Sequence, residues 1–479
     1  MDGLECSEIN LRYVKDKLLR IDAEYYQKDN LIWENVLASM EGKTISDHNG
    51  KTDCSAFYPS ITGYYSSDRN NIPFLRVNEI VDGLVVISDK TVFLPEEVLK
   101  NNSKTIALAY PGDIIIAKGG NTLAKVGLVT DKFNVYATCR DVIILRTDDI
   151  TDLNKFYLWA YLHSSFGQKL MWRSASQTGQ PHLTLSSIDG IYIPEYSMVL
   201  QKAIEDLYNR SVNIKQVSQQ NYDSAVDMLE TTLGISHFPT AAVSIKNFSD
   251  SFMKTGRLDS EYYQPKFDAL FDALKKFSSK RLGGNNGIVS IKKSIEPGSD
   301  AYKDEGIPFI RVRDVSKHEI TSPEIYLSHD VVENVKALFP KKDTILFSKD
   351  GSVGIAYKLE HDEDIITSGA LLHLTVKNTS EVLPDYLTLV LNSPVVQMQA
   401  ERDSNGAIIQ HWKPSEIENV IIPVLDMDKQ RELAEMVQKS FALRRQSKQL
   451  LEYAKQAVEI AIEQGEDASL AWLKDKVEQ

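Results

Sequence analysis

Short apolar runs, rich in β-branched residues and separated by turn residues, recur along residues 1–198 and again along residues 236–423. Three of these runs are Gly83–Ile87, Asp141–Leu145 and Leu371–Val376. Apolar runs of about four to eight residues between turns are typical of strands buried in a sheet. Both stretches therefore predict a domain rich in β-structure.

Helical patterns accompany the strands in both stretches. Apolar residues recur at helical spacing within residues 153–168 and within residues 384–399. A mixture of this kind favours the α+β fold class, with a largely antiparallel or mixed sheet. We therefore expect two mixed α/β domains.

Two further segments lack the turn residues that punctuate the rest of the chain. No Gly or Pro occurs from Glu195 to Leu233 or from Val424 to Gln464. In the second segment, apolar residues recur every seven positions, at Met436, Leu443, Leu450 and Ala457. This spacing predicts long helices that pair. We expect an antiparallel coiled-coil pair that separates the two domains; two ordinary core helices, each packed on its own domain, are the alternative.

Four sequence motifs occur twice, in the same order. They are Arg20–Gln27 with Arg257–Gln264, Ile72–Val77 with Ile307–Val312, Asp113–Ile116 with Asp343–Leu346, and Ile191–Pro194 with Ile421–Pro423. The spacing between copies drifts from 237 to 229 residues, which indicates one duplicated module. The predicted segments are a first domain at 1–198, a central helix at 199–235, a second domain at 236–423, a C-terminal helix at 424–464 and a tail at 465–479.

The charge balance restricts how the chain can meet nucleic acid. Its 479 residues include 54 basic and 67 acidic side chains, a net charge of -13. This excludes a protein that coats nucleic acid by charge alone, but it allows a site-specific binder with a locally basic face.

Targeting signals are not evident in the sequence. The three cysteines share no metal-ligand spacing, and reduced thiols are the expected state. No basic stretch leads into an apolar run at Met1, and no uncharged window approaches the roughly 20 residues of a membrane helix. We expect a cytoplasmic protein that does not bind a membrane.

Common catalytic motifs are also missing. The sequence has no Walker A phosphate loop, no dinucleotide glycine fingerprint, no aromatic motif of a DNA amino-methyltransferase and no His/Cys pattern for zinc. The strand from Asp113 to Lys118 superficially fits a metal-dependent nuclease, but Ile116 occupies the position of the second carboxylate. The pattern favours recognition over catalysis. A duplicated nuclease or modification enzyme with an atypical site is a weaker alternative.

The duplicated motifs resemble those of a known family. Ile72–Val77 and Ile307–Val312 each precede a Gly/Asp-rich strand, at 112–120 and 342–351. Thr178–Leu185 then leads into the first long helix, and Asn405–Trp412 is a weaker copy before the second. In this order the chain resembles, over nearly its whole length, the DNA-specificity (S) subunit of type I restriction–modification systems.

The resemblance implies a non-catalytic protein that recognises double-stranded DNA. Each sheet-rich half would be a target recognition domain for one half of a bipartite site, and the helices would be a spacer. Two DNA adenine methyltransferase (M) subunits and separate restriction/translocase (R) subunits would be its partners in phage defence. AdoMet, ATP and Mg²⁺ would bind those partners, with no cofactor and no metal on this chain. A scaffold in another phage-defence or DNA-methylation complex is the alternative.

Arginines follow the short strands that carry the repeated Ile-Pro-Phe motif. They are Arg76, Arg311 and Arg313. Arginine makes bidentate contacts to guanine or phosphate, so these three are candidates for binding DNA. Pairing with Glu79 or Asp314 is an equally weighted alternative.

Two further sets of candidates lie on loops. One set follows the Gly/Asp-rich strands, where a flexible backbone and donors suit phosphate: Lys118, Gly119, Asn121, Lys349 and Ser352. A plain hairpin turn is the alternative for both loops. The other set precedes the long helices and offers side chains that can hydrogen-bond to bases: Gln180, His182, Gln410 and Lys413. A structural cap between sheet and helix is the alternative, and it is favoured for the Pro-His-Leu-Thr segment at 181–184.

Overall fold

The computed structural model describes residues 6–16, 20–88, 90–175, 181–235, 243–321, 323–331, 333–404 and 410–478. The chain divides into two units. Unit 1 comprises Met1–Ile214 and Arg445–Gln479, and unit 2 comprises Lys215–Arg444. The division falls within both long helices, so each helix contributes residues to both units.

The described strands of unit 1 form separate sheets. The six-stranded sheet has the order Lys51–Cys54, Val142–Arg146, Ile114–Ala117, Val126–Leu128, Leu84–Val85 and Ile80–Val81. A second group has the order Phe93–Leu94, Ile72–Leu75, Tyr136–Thr138 and Leu108–Ala109, and a separate antiparallel pair joins Gly42–Thr44 to Tyr192–Pro194. Strand Ile72–Leu75 runs parallel to Tyr136–Thr138, and Leu84–Val85 runs parallel to Val126–Leu128.

The strand Ile114–Ala117 shows why its sequence is apolar at every position. Ile114 and Ile116 face one hydrophobic core, whereas Ile115 and Ala117 face another. Successive side chains of a strand point to opposite faces, so a strand between two cores needs a continuous apolar run.

The helices of unit 1 pack on both cores: Glu96–Asn101 contributes to the core of Ile115, and Lys155–His163 contributes to the core of Ile114. The helices are Leu11–Asp16, Lys28–Ala38, Glu96–Asn101, Lys155–His163, Ser165–Ser174, Leu185–Asp189 and Glu466–Glu478, with 3₁₀ turns at Ala23–Tyr26, Thr62–Tyr64, Val77–Glu79 and Gly120–Thr122. The segment 153–168, expected to be helical, belongs to two helices, because the chain turns at Ser164. The Ser164 hydroxyl accepts a hydrogen bond from the Gly167 amide at 3.3 Å and begins the second helix.

Unit 2 repeats this plan with fewer strands in its described part. One group has the antiparallel order Val289–Lys293, Leu371–Val376, Ile345–Ser348 and Ala356–Lys358. Another has the order Tyr302–Lys303, Tyr326–Leu327, Ile307–Ile310 and Ile366–Thr367, in which the last two strands are parallel. A separate antiparallel pair joins Ser279–Arg281 to Ile421–Pro423. The mixed α/β architecture expected from the sequence is confirmed.

The five helices of unit 2 outside the long pair follow the order of five helices of unit 1, and Glu96–Asn101 has no counterpart among the described α-helices. Those of unit 2 are Phe252–Thr255, Pro265–Leu274, Pro384–Asn392, Pro394–Asp403 and Pro414–Ile417, with 3₁₀ turns at Ser260–Tyr263, Ser299–Ala301, Val312–Asp314 and Val335–Leu338. The helix expected over 384–399 is again two helices, because Pro394 lacks an amide hydrogen and begins a new helix.

The long helices span Met198–Leu233 and Met427–Gln464. In unit 1 the Ser197 amide donates to Glu466 at 3.2 Å, and the Ser211 hydroxyl donates to the Ser447 carbonyl at 2.9 Å. As residue numbers rise along the first helix, those of the contacting residues on the other side fall. The two long helices are therefore antiparallel. Their inner faces also join the hydrophobic core of the unit, so pairing and packing on the domain occur together.

Unit 2 contains the same antiparallel pairing. The Ser218 hydroxyl donates to the Ser440 carbonyl at 2.8 Å, and the Lys429 ammonium lies 3.7 Å from the Met228 sulfur. The first long helix therefore pairs with the second in each unit.

Buried side chains at equivalent positions fix each domain to its helix. The Gln201 side chain accepts from the Asn154 amide and donates to the Tyr196 carbonyl, both at 2.8 Å. Gln430, 229 residues later, accepts from the Leu383 amide at 3.0 Å and donates to the Leu425 carbonyl at 2.9 Å. The duplication inferred from short motifs thus extends to individual hydrogen bonds.

Candidate nucleic-acid interface

Three segments of unit 1 meet where strand Ile114–Ala117 ends. The Lys118 amide donates to the Asp141 carbonyl at 2.8 Å, and the Leu183 amide donates to the Lys118 carbonyl at 2.8 Å. Gly119 and His182 form an isolated β-bridge. We call residues 118–122, 139–141 and 181–184 the unit 1 loop edge. It brings together Lys118, Gly119, Asn121 and His182.

The same arrangement occurs in unit 2. The Lys349 amide donates to the Ala370 carbonyl at 2.9 Å, and the Trp412 amide donates to the Lys349 carbonyl at 2.8 Å. Asp350 forms a β-bridge with His411, and the Gly351 amide donates to the Gln410 carbonyl at 2.9 Å. Residues 349–352, 368–370 and 410–413 form the unit 2 loop edge. It brings together Lys349, Ser352, Gln410 and Lys413.

The close approach of the His182 ring to the backbone at position 119 requires a glycine there. A Cβ atom on Gly119 would lie 2.4 Å from Nδ1 and 2.6 Å from Cε1 of His182. The backbone of Gly119 is extended, so the requirement is one of space rather than of dihedral angle.

At the loop edges, exposed polar side chains lie over buried apolar residues. Asn121 and His182 are exposed in unit 1, as are Ser352, Gln410 and Lys413 in unit 2. Beneath them, Leu183 and Trp412 are buried at equivalent positions. The Thr184 hydroxyl accepts from the Ser187 amide at 3.1 Å and caps the short helix Leu185–Asp189. Gln180 lies outside the described residues.

Lys349 is mostly buried, unlike a freely exposed lysine. Its side chain is 13% exposed and pairs with the Asp350 carboxylate, which also contacts Nδ1 of His411 at 2.8 Å. Burial raises the pKa of Asp350, but hydrogen bonds from Lys349 and His411 outweigh that effect and hold the pKa below its ordinary value. At the corresponding place unit 1 has Gly119, so the local charge of the two edges differs.

Carboxylates hold the three candidate arginines. Nη2 of Arg76 lies 3.1 Å from Oε1 of the buried Glu79. Nε of Arg311 lies 3.3 Å from Oδ2 of Asp314. The Arg76 and Arg311 amides also donate to the same carboxylates, so each pair stabilises a 3₁₀ turn.

Arg313 is the most exposed of these arginines, and it pairs with the Glu324 carboxylate. The ion-paired alternative therefore describes the geometry of all three side chains. Their contact with DNA stays a prediction.

Asp113, considered above for a nuclease, has a structural role. It is buried, and its carboxylate lies 3.1 Å from Nη1 of Arg146. Burial raises the pKa of Asp113, and the backbone hydrogen bond from Tyr110 and the charge of Arg146 oppose that rise. The arrangement anchors the start of the strand.

Sequence reasoning missed Arg140 and Phe57, which lie beside each other at the unit 1 loop edge. The Arg140 guanidinium is 5.9 Å from the centroid of the Phe57 ring, and both side chains are exposed. Neither residue lies in a repeated motif. A signal existed only in the position of Arg140, two residues before the strand Val142–Arg146.

Among the described residues, His48, Asp152 and Glu195 form a group whose potential ligand atoms lie within 4.8 Å of one another. Lys43 already pairs with Asp152 at 3.1 Å and with Glu195 at 3.3 Å. Unit 2 keeps the corresponding ion pair, Lys280 with Glu381. The group is therefore explained as an ion-pair cluster that fixes the edge of the domain.

No described helix is long and apolar enough to span a membrane.

Comparison with known proteins gives one family match and several distant structural likenesses. Residues 280–453 match the family model described as the type I restriction modification DNA specificity domain. No curated protein matches the chain.

Two solved structures illustrate the likenesses. The S subunit of a type I restriction–modification system from M. genitalium is 14% identical, with 88% of this chain and 96% of that one covered and a TM-score of 0.36. The HsdS subunit from Thermoanaerobacter tengcongensis is 15% identical, with 87% and 97% covered and a TM-score of 0.27. At TM-scores below 0.5, neither likeness decides the fold.

The matched segment contains the unit 2 loop edge, and unit 1 repeats the backbone hydrogen bonds of that edge at equivalent residues. Lys118 and Lys349 occupy the same place in the two frameworks, as do Leu183 and Trp412. Residues 280–453 therefore match the type I restriction modification DNA specificity domain, and unit 1 repeats the backbone framework of that segment.

Proposed function

We propose that the chain recognises a bipartite double-stranded DNA site, and that each unit reads one half-site through its loop edge. The observation that carries this proposal is the duplicated framework beneath unlike side chains. Equivalent backbone bonds join Lys118 to Asp141 and Lys349 to Ala370, whereas the exposed residues above them differ. A common framework with different side chains suits two readers of two different sequences.

The charge of the chain supports a role within a larger complex. Phosphate contacts supply most non-specific affinity for DNA, and the net charge of -13 makes that contribution small. The arginines behind the loop edges are also engaged with carboxylates. Partner subunits that close around the duplex would add the missing positive charge.

The proposed partners are two DNA adenine methyltransferase (M) subunits and restriction/translocase (R) subunits. In this proposal AdoMet, ATP and Mg²⁺ bind to those subunits, and this chain positions them on DNA without catalysing a reaction. The long helices would be the spacer between half-sites, and the assembly would work in the cytoplasm in defence against phage.

A domain exchange tests the proposal. Residues 1–198 are replaced by the equivalent domain of another specificity subunit, and methylated sites are mapped across the genome by single-molecule sequencing. We expect one half of the methylated motif to change and the other half to stay. The reciprocal exchange of residues 236–423 is the matched control, and it should change only the other half.

Two results would contradict the proposal. If a single exchange altered both halves, the two units would not read independently. If deletion of the gene left every methylated motif in place, a scaffold role in another complex would replace sequence recognition.

A further inference from the structure

Arg140 is held at the centre of the unit 1 loop edge by hydrogen bonds on both sides. The Cys139 amide donates to the Leu75 carbonyl at 2.9 Å, and the Asp141 carbonyl accepts from the Lys118 amide at 2.8 Å. The backbone of Arg140 is therefore fixed between two strands, while its side chain is exposed. A long side chain on a fixed backbone is well suited to reach a base edge in a groove.

The guanidinium of Arg140 differs in its surroundings from that of Arg76. Arg76 is held by the buried Glu79 carboxylate. Across the part of the chain that the structure describes, the contact found for the Arg140 guanidinium is the Phe57 ring, with no carboxylate at ion-pair distance. Arg140 therefore has its full set of donors available to an external acceptor.

Phe57 is exposed at a place where its position is well defined. Its side chain is 79% exposed, which is unusual for a phenylalanine. Two residues earlier, the Ser55 hydroxyl donates to the Thr138 carbonyl at 2.7 Å, and the Ala56 amide donates to the Thr105 carbonyl at 2.8 Å. The ring thus stands beside Arg140 on an anchored segment, where it can orient the guanidinium plane.

Unit 2 carries different chemistry at the same place. The Ser368 amide donates to the Ile310 carbonyl at 2.8 Å, and the Ala370 carbonyl accepts from Lys349, so Gly369 is the equivalent of Arg140. A Cβ atom on Gly369 would lie 2.8 Å from Oε1 of Glu296. Exposed Glu296 therefore lies against Gly369 as Phe57 lies against Arg140. Exposed Lys293 lies at the same place, with its Cε 2.9 Å from that Cβ position. Unit 1 therefore presents a guanidinium and an aromatic ring where unit 2 presents a carboxylate beside a lysine.

We infer that Arg140, oriented by Phe57, reads a guanine in the half-site of unit 1, and that Glu296 reads a cytosine in the half-site of unit 2. Arginine donates two parallel hydrogen bonds to O6 and N7 of guanine, whereas glutamate accepts from the N4 amino group of cytosine. This inference rests on the proposed function, because it assigns the readers within the loop edges.

The experiment maps methylated sites in strains that carry Arg140→Ala, Arg140→Lys or Glu296→Gln in the full-length chain. We expect Arg140→Ala to lower the preference for guanine at one position of the unit 1 half-site by about tenfold to a hundredfold. Arg140→Lys should keep the overall affinity but lose much of that preference, because an ammonium lacks the planar fork. Glu296→Gln should relax one position of the unit 2 half-site alone.

Arg210→Ala is the matched control for charge. Arg210 is an exposed arginine of unit 1 on the first long helix and is not one of the loop-edge residues, so its loss should leave the base preference unchanged. Melting curves of the purified variants establish that each one folds. The domain exchange described above assigns each half-site to its unit.

Unchanged preference at every position in Arg140→Ala would overturn the inference while leaving the proposed function intact. Equal relaxation in both half-sites would overturn it as well, because Arg140 would then act through general affinity. If the wild-type gene directed no specific motif, the proposed function itself would fail.

Discussion

The Ser211 hydroxyl of the first long helix donates a hydrogen bond to the Ser447 carbonyl of the second at 2.9 Å, and the two hydroxyl oxygens are also 2.9 Å apart. Both serines are buried. Unit 2 repeats the contact between Ser218 and Ser440, the equivalent residues 229 positions away. Small side chains let the helices approach closely, and each hydroxyl finds a partner in a place that water does not reach.

Enlarging one of these serines should loosen the helix pair. Ser218→Leu adds volume to a filled seam and removes a hydrogen bond, and we expect it to lower the free energy of unfolding of unit 2 by about 1–3 kcal/mol. Ser218→Ala should cost less, about 1 kcal/mol. Differential scanning calorimetry measures both. Gln220→Leu, at an exposed position of the same helix, is the control, and an equal loss there would contradict the seam argument.

A buried tyrosine in each unit donates a hydrogen bond to the last strand of its domain. Removing either hydroxyl should therefore lower the free energy of unfolding by a similar amount. The Tyr157 hydroxyl donates to the Pro194 carbonyl at 2.6 Å, and the Tyr386 hydroxyl donates to the Pro423 carbonyl at 2.7 Å. Tyr157→Phe and Tyr386→Phe should each cost about 1–3 kcal/mol, because a buried carbonyl loses its donor. Urea unfolding should show the loss, and Tyr64→Phe at an exposed position should show none.

Acid should destabilise unit 2 through His373. Its imidazole is buried against Thr367, with Nε2 at 2.8 Å from the threonine hydroxyl, and burial, helped by the charge of Lys292, lowers its pKa to about 4. The unfolded chain takes up the proton near pH 6.5, whereas the folded chain does not. Stability should therefore fall as the pH drops from about 6.5 to 4, by about 3 kcal/mol at the lower limit.

Replacing His373 by the residue at the equivalent position of unit 1 tests this pH effect. Ile144 is the equivalent of His373 in unit 1, so His373→Ile places an apolar residue of the first copy in the second. Unfolding free energies measured between pH 4 and 7 should show a shallower slope for the variant. An unchanged slope would mean that other groups cause the acid sensitivity.

Replacing Gly119 should damage the unit 1 loop edge through the His182 ring. A methyl group there would meet that ring at 2.4 Å, so Gly119→Ala should lower both the melting temperature of unit 1 and methylation of its cognate sites. Gly63→Ala is the control, because its new Cβ would meet no atom within 4 Å. The double variant Gly119→Ala, His182→Ala should recover much of the stability; a failure to recover would exclude the clash as the cause.

The sequence predicted the duplicated plan and the long helices well, since apolar periodicity and repeated motifs follow directly from which faces are buried. The positions of Lys118 and His182 were also named, although they are 64 residues apart, because each belongs to a repeated motif. Their contact through the bridge with Gly119 depends on strand pairing, which no local pattern encodes.

Other features depended on tertiary contacts. Arg76 looked equally suited to DNA and to Glu79, and only the fold shows that the carboxylate is buried beneath it. Arg140 escaped notice because a single arginine before a strand has no pattern, and its exposure follows from bonds to Leu75 and Lys118 made by its neighbours. Helix breaks such as the one at Ser164 likewise depend on capping bonds that apolar spacing does not reveal.

Unit 1 is formed by an early and a late segment of the chain, and this affects the order in which the chain folds during synthesis. Its core includes Leu450, Ala454 and Val458, which the ribosome adds only after every residue of unit 2. The first domain to be translated therefore waits for the last helix before its apolar surface is covered, whereas unit 2 has all its residues by Arg444. A nascent chain stalled before residue 445 would expose that surface, and the interval between the two events is when this protein most needs protection from aggregation.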